Sequence, residues 1–363
     1  MTPKLSKRIE LRFKGFSLFL LRLFFQARSA PRPSLSGSAA ILFLRQDRIG
    51  DMVISTGLFR ALKNRYPSLR IGVVASRGNA VVLRACPFVD RVFVYDKRPL
   101  ETLRLLSRVR SETYDIVVNL VLYSSLTGGI LSALCGPRAF RVRMTQGDDK
   151  DFFYHLNVRK KVWGAAAASM LQETLSLLPE LGVTVAPDEA QPFMAVPEGT
   201  RAASRGWAER EPAGLKIGVN LAAGVVDREV SASTWHAFLV LLRRALPQAG
   251  IYLFFPANCR IRRELTQLGL PSGVRDIPPH GNVLEAAAYL LEMDLMVSPD
   301  TSLVHICSAV GKPVVGVYKG EENALLWGPV GVDHEKVIGL AGIDSVVPEA
   351  ILEAVRRLAA RLR

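Results

Sequence analysis

Three short stretches of this 363-residue chain bring carboxylate, hydroxyl, imidazole or guanidinium groups together directly after an apolar run, two of them with a glycine among these groups. The first is Arg45-Gln46-Asp47-Arg48-Ile49-Gly50-Asp51. Gly50 lets the backbone turn tightly, and Asp51 then stands at the N-terminus of a helix expected from about Met52. A carboxylate there either caps the helix or faces the crevice beyond the strand, where it can take a proton from a bound hydroxyl. The second stretch is Val297-Ser298-Pro299-Asp300-Thr301-Ser302-Leu303-Val304-His305. Free backbone N–H groups at Thr301, Ser302 and Leu303, together with the helix dipole, make a site for a diphosphate. His305 lies one turn in on the side of Thr301, either as a core imidazole bonded to neighbouring backbone or as a group of the site. In the third stretch, Leu221 to Arg228, small Ala223 and Gly224 admit a ligand close to the backbone. Arg228 either neutralises phosphate charge or is a solvated surface arginine. No G-x-G-x-x-G is present, so nicotinamide or flavin binding is not supported.

Something must hold these stretches, and the surrounding pattern says what. From Ala39 onward, short β-branched runs alternate with helical-period stretches, and Gly, Pro, Asp or Asn marks each switch, as in βαβ units of a parallel sheet. Strands are expected at Ala40 to Leu44, Ile71 to Ala75, Val92 to Tyr95 and Ile116 to Leu120. Helices are expected near Met52 to Arg65, Asn79 to Ala85, Leu100 to Arg110 and Ser169 to Leu181. The proline-bearing segment from Ala186 to Gly214 breaks the rhythm, although part of it is compatible with a strand. Strands then resume at Lys216 to Asn220, Ile251 to Phe255, Leu295 to Ser298 and Val314 to Val317. The helices between them are expected near Ser233 to Leu246, Ile261 to Leu268, Val283 to Leu291 and Ser302 to Ala309. This predicts an α/β chain with two doubly wound sheets, each placing its ligands beyond the carboxyl ends of its strands.

The expected divisions are a leader and linker (residues 1–38), a first Rossmann-like half (39–190), a second (191–345), and a last Arg-rich helix (346–363) packing back toward the first half. In the leader, Leu5, Ile9, Phe13, Phe16, Leu20 and Leu23 share one helical face while Lys4, Lys7, Lys14 and Arg22 point away. That layout suits a helix lying in a membrane surface, a helix packed on the protein, or a disordered leader, and it is too short and charged to span.

The formal net charge of +14 favours an acidic partner, which nucleic acid, anionic lipid or a phosphorylated small molecule would satisfy. Basic residues are dispersed and no nucleic-acid reader motif appears, so nucleic acid is the weakest of the three. Cys86, Cys135, Cys259 and Cys307 are far apart, suggesting neither a disulfide framework nor a zinc site and fitting a reducing, cytoplasmic compartment. Asp148, Asp149 and Asp151 are the alternative cluster for a metal-held diphosphate. They read instead as a solvated loop, between basic segments and after no clear core strand.

With the loops in hand, LRQDRIGDMVISTGLFRALKNRYP and MDLMVSPDTSLVHICSAVGKPVVGVY resemble the two densest blocks of glycosyltransferase family 9, the bacterial heptosyltransferases. The likeness runs from about Ile41 to about Gly331. It implies the GT-B architecture, two Rossmann-like domains facing each other across a cleft. By this resemblance Asp51 falls on the family's general base, and Asp300, Thr301, Ser302, Leu303 and His305 on its donor-sugar and diphosphate site. Arg228 falls near a basic residue after the Gly-rich turn, beside Ala223 and Gly224, and Arg48 and Gly50 belong to the acceptor-side loop. Two departures stand out: Ser302 replaces the usual glycine, and the usual Lys/Arg-Trp segment is only loosely matched by Arg228 to Trp235.

The implied reaction is inverting transfer of a heptose from ADP-heptose to a hydroxyl of the lipopolysaccharide inner core, with no cofactor or metal. The implied acceptor is a lipid-linked phosphorylated oligosaccharide at the inner face of the cytoplasmic membrane. The alternatives are a family member moving another sugar to another cell-envelope glycan, a GT-B-like nucleotide-sugar epimerase, and a non-catalytic peripheral membrane protein that binds a nucleotide sugar.

Overall fold

A computed structural model describes residues 17–33, 35, 39–123, 125–145, 147–159 and 169–362. The first sheet holds β1 (Ala40–Arg45), β2 (Arg70–Ser76), β3 (Arg91–Tyr95), β4 (Ile116–Asn119), β5 (Phe140–Thr145) and β6 (Leu156–Arg159). The second holds β7 (Lys216–Asn220), β8 (Gly250–Phe254), β9 (Val274–Asp276), β10 (Leu295–Pro299), β11 (Val314–Tyr318) and β12 (His334–Ile338). The strand orders are β3-β2-β1-β4-β5-β6 and β12-β11-β10-β7-β8-β9, with every pair parallel. Each sheet therefore reverses its winding once, between β1 and β4 and between β7 and β10. At such a point the loops part and leave a crevice.

The strands read as near-continuous apolar runs because both faces of each sheet are covered. Alternation then sorts the side chains. Ile41 and Phe43 of β1 enter a core that also takes Met296 of β10, while Leu42 and Leu44 face a separate core with Leu105, Val109 and Leu131. Leu295 and Val297 of β10 face the outer core of the second half. The helices Ile49–Arg65 and Ser302–Val310 pack on one another within the core that both halves share.

Several expectations need correction. Between Ala186 and Gly214 there is no strand; a 3₁₀ turn at Pro187–Ala190 is followed by the helix Glu198–Ala208, whose Trp207 meets the rings of Tyr252 and Tyr289 edge-on. The expected helix at Asn79 to Ala85 is a 3₁₀ turn, Ala80–Leu83. The one expected from Ser169 to Leu181 is two short helices, Met170–Leu175 and Leu177–Glu180, and Pro179 supplies no N–H to continue the first. The last helix, Pro348–Arg361, does not return to the first half. Its Ile351, Ala354, Val355 and Leu358 close the outer core of the second sheet, against β10, β11, β12 and the helix Ala232–Ala245.

Asp148, Asp149 and Asp151 do follow a core strand, since every residue of β5 is buried. Buried Arg143 of that strand is bonded to Asp148 at 2.9 Å and to Asp151, so the cation of this loop is the protein's own. Of the leader, Leu5, Ile9, Phe13 and Phe16 lie outside the described residues, and residues 17–25 are helical with Leu20 and Leu23 exposed. No helix among the described residues is long and apolar enough to cross a membrane.

Candidate active site

The site begins where β1 ends. Arg45 is fully buried, and a guanidinium cut off from water needs counter-charge and acceptors on every edge. Its Nε donates to the Asp51 carbonyl at 3.2 Å and its Nη2 to Asp51 Oδ1 at 3.4 Å. Nη1 donates to Asp47 Oδ2 at 3.3 Å and also to the Leu120 carbonyl just past β4. One side chain thus ties the ends of β1 and β4 at the point of reversal and holds two carboxylates. Asn79 fixes the loop from the other side, donating to the carbonyl of Arg45 at 2.8 Å.

The helix here opens at Ile49, three residues before the expected start, so Gly50 and Asp51 stand inside its first turn. Asp51 is therefore no N-cap: Arg48 holds that position, in extended conformation and with no side-chain capping bond. Nor does Gly50 serve a left-handed turn, since it is absent from the positive-φ glycines. Its role is proximity. A Cβ there would lie 2.8 Å from His305 Cδ2 and 3.5 Å from Ser302 Cα, so only glycine lets the two motif helices touch at this point.

Across the contact, Thr301 caps the helix Ser302–Val310, its Oγ1 accepting from the Leu303 amide at 3.2 Å. Asn220, at the end of β7, donates to that hydroxyl at 3.1 Å and to Ser298 Oγ at 3.0 Å. The Leu303 N–H is thus spent on the cap, contrary to the expectation that it is free, whereas the Thr301 and Ser302 amides bond no protein group among the described residues. Asp300 Oδ2 lies 3.1 Å from Arg228 Nη1. Burial pushes the Asp300 carboxyl up to about 6, with Arg228 opposing the rise most strongly. Burial lowers His305 to about 4, against the pull of nearby Asp51, so its imidazole is neutral at pH 7. No hydrogen bond to its ring forms among the described residues, which removes the bonded core-histidine reading, and Trp327 lies 6.0 Å from it, centroid to centroid.

These groups border two adjoining cavities. One, about 510 Å3, is lined from the first half by Asp47, Arg48, Gly50 and Asp51 and from the second by Gly224, Arg228, Asp300, Thr301, Ser302, His305 and Trp327. The other, about 660 Å3, lies beyond the ends of β7 and β8 and is bordered by Asn220, Ala223, Phe254, Phe255, His280, Asn282 and Leu303. Gly224, Thr301 and Ser302 belong to both. The residues that the sequence assigned to the general base, the donor site and the acceptor-side loop therefore all line one cavity or the other, whereas Asp148, Asp149 and Asp151 line neither. Sequence reasoning passed over Arg45, Asp47 and Trp327. Asp47 is the most consequential of these: its Oδ1 is buried without a partner, and burial raises its carboxyl to about 6, with Arg45 opposing and Asp51 adding to the rise. The signal was in the quoted loop, a carboxylate four residues ahead of Asp51. Among the described residues no group of three or more His, Cys, Asp or Glu is placed to hold a metal ion.

Comparison with known proteins agrees with this geometry. The family model for glycosyltransferase family 9 (heptosyltransferase) matches residues 102–342. Lipooligosaccharide heptosyltransferase 2 of Haemophilus influenzae is 22% identical over 293 residues, covering 77% of this chain and 82% of that protein. Among solved structures, a glycosyl transferase family 9 protein of Veillonella parvula superposes with a TM-score of 0.75 at 15% identity, over 91% of this chain and 100% of its own. The ADP-heptose lps heptosyltransferase II of E. coli gives 0.71 at 19% identity, over 89% and 99%. Two parallel six-stranded sheets of one winding, joined across a shared core and matched by the family model over most of their length, place the chain in glycosyltransferase family 9, as a glycosyltransferase of the GT-B fold.

Proposed function

We propose that this glycosyltransferase moves a heptose from ADP-heptose to a hydroxyl of the lipopolysaccharide inner core, with inversion at the anomeric carbon. The observation that carries the reading is the meeting of Asp51 with the Asp300–His305 helix start around one cavity, although some 250 residues separate them. In this reading the nucleoside occupies the cavity beside Phe254 and Asn282, and the diphosphate lies against the Thr301 and Ser302 amides. The sugar then projects toward Asp51. The first half (39–190) carries the acceptor and the second (191–345) the donor.

Asp51 takes the proton of the acceptor hydroxyl as its oxygen attacks the anomeric carbon. The bond from that carbon to the diphosphate breaks, and the negative charge growing on the leaving phosphate is met by the helix start and by Arg228. Neutral His305 is in a form that can both donate and accept a hydrogen bond next to the reacting sugar. The acceptor's phosphates and lipid place the chain at the inner face of the cytoplasmic membrane, which its formal charge of +14 suits.

The test is nucleoside diphosphate release from ADP-heptose and from a panel of other nucleotide sugars, with and without deep-truncated lipopolysaccharide. Release from ADP-heptose that requires the acceptor supports the proposal. Release from another donor alone would change the substrate, and conversion of donor without acceptor would replace transfer with epimerisation.

A further inference from the structure

Residues 17–25 form a helix seated on the β5–β6 side of the first sheet. Leu21 and Phe25, one turn apart, pack on Phe152, Phe153 and Tyr154 beside Ile130. Three polar contacts fix the same face. The Ala27 amide donates to the Phe152 carbonyl at 2.8 Å, Arg141 donates to the Phe25 carbonyl at 3.3 Å, and the Arg22 guanidinium lies 5.9 Å from the Phe152 ring centroid. The helix is therefore held by one face only. On the other, Phe19, Leu20, Leu23 and Phe24 are 62%, 38%, 68% and 75% exposed. Four neighbouring large apolar side chains in water are costly, and a contiguous patch of this kind marks a surface made to meet something.

Charge identifies the partner. Residues 1–33 carry Lys4, Lys7, Arg8, Arg12, Lys14, Arg22, Arg28 and Arg32 against the single acid Glu10. An apolar stripe flanked by cations and docked with its axis fixed on a folded body matches a bilayer interface with anionic headgroups, where the rings enter the acyl boundary and the cations stay among the phosphates. We propose that helix 17–25 is a monotopic anchor that seats the first half on an anionic membrane surface through Phe19, Leu20, Leu23 and Phe24. The proposal concerns a surface apart from the cavity and holds whatever sugar the enzyme transfers.

The test is co-sedimentation of the full chain with vesicles of phosphatidylglycerol and phosphatidylcholine in equal parts, against phosphatidylcholine alone. The expected result is binding to the mixed vesicles, weakened by added salt because surface charges are screened. Leu23→Glu and Phe24→Glu should each weaken that binding about tenfold or more. Their thermal unfolding should match the parent's, since neither side chain packs on the protein. A parent chain left in the supernatant, or variants that sediment as well as the parent, would overturn the proposal. So would lipid-free self-association that the same variants abolish, because the stripe would then face a second copy of the chain.

Discussion

The loop after β1 and the loop after β10 each leave a strand that borders the winding reversal of its sheet, yet they are built with opposite charge logic. In the second half the helix opens behind an N-cap hydroxyl, leaves the Thr301 and Ser302 amides unspent, and has Arg228 beside it. That is how a Rossmann-like half receives an anion. In the first half the helix start is occupied from within. Asp51 sits in its first turn, Asp47 hangs over the same cavity, and buried Arg45 holds both. A phosphate arriving there would meet two carboxylates. One topology thus yields an anion receptor on one side of the cavity and a fixed carboxylate on the other, which is the asymmetry that transfer from a diphosphate donor to a hydroxyl requires.

The sharpest way to break that contrast is to neutralise each side in turn. Asp51→Asn is expected to lower kcat about a thousandfold while leaving ADP affinity near the parent value, because only proton removal is lost. Arg228→Ala is expected to act the other way, weakening ADP roughly tenfold to a hundredfold through one lost charge-assisted contact. Steady-state kinetics with calorimetric ADP titration measures both. If the two variants lose the same parameter to the same degree, the division of labour between the loops is wrong.

How much of this was legible differs by region for physical reasons. The central strands β1, β7 and β10 are short and mostly apolar, and the loops after β1 and β10 announced themselves through Gly50-Asp51 and Asp300-Thr301-Ser302. By contrast β5 reads Phe-Arg-Val-Arg-Met-Thr, and its arginines conceal a fully buried strand. Arg141 and Arg143 are inside only because the Phe25 carbonyl, Asp148 and Asp151 receive them, and those partners come from distant or irregular segments. The polar edge strand β12 (His-Glu-Lys-Val-Ile) was hidden in the same way. The last helix shows an apolar face in its sequence, but a face does not name the sheet it will cover. Asp47 was missed because a carboxylate between two basic residues looks like a solvated ion pair until burial is known.

Asp47 offers a second, smaller test, through pH. Its carboxyl stands at about 6 in the folded chain against 3.8 for the ordinary group, so between those values the folded chain holds a proton that the unfolded chain has released. Stability from this group is therefore lost as pH rises from about 4 to 6 and stays lost above. The penalty above pH 6 is at most about 3 kcal/mol. Asp47→Asn cannot ionise, so the stability difference, variant minus parent, should grow as pH rises through that window and level off above it. Urea unfolding at a series of pH values reads this directly. A difference that is flat with pH would show that Asp47 ionises freely, and that the first loop carries less buried charge than the contrast supposes.

The finest test uses two glycines that line the cavity, Gly50 in the helix start after β1 and Gly224 in the loop after β7. Around Gly224 nothing lies within 4 Å of where a Cβ would stand, and its backbone is not in the left-handed region. Gly224→Ala should thus leave the thermal midpoint within experimental error and cost affinity only if a ligand comes up against that backbone. Gly50→Ala puts a methyl 2.8 Å from the His305 ring, at the contact between the two motif helices. The imidazole or the helix must move, with a cost of about 1–3 kcal/mol in stability and a loss of activity with it. The displaced ring has cavity on one side and Trp327 on the other, so His305→Ala in the Gly50→Ala background should restore most of the stability without restoring turnover. If the single variant melts with the parent instead, the two loops are not pressed together, and the apposition of carboxylate and anion site is looser than their meeting at Gly50 implies.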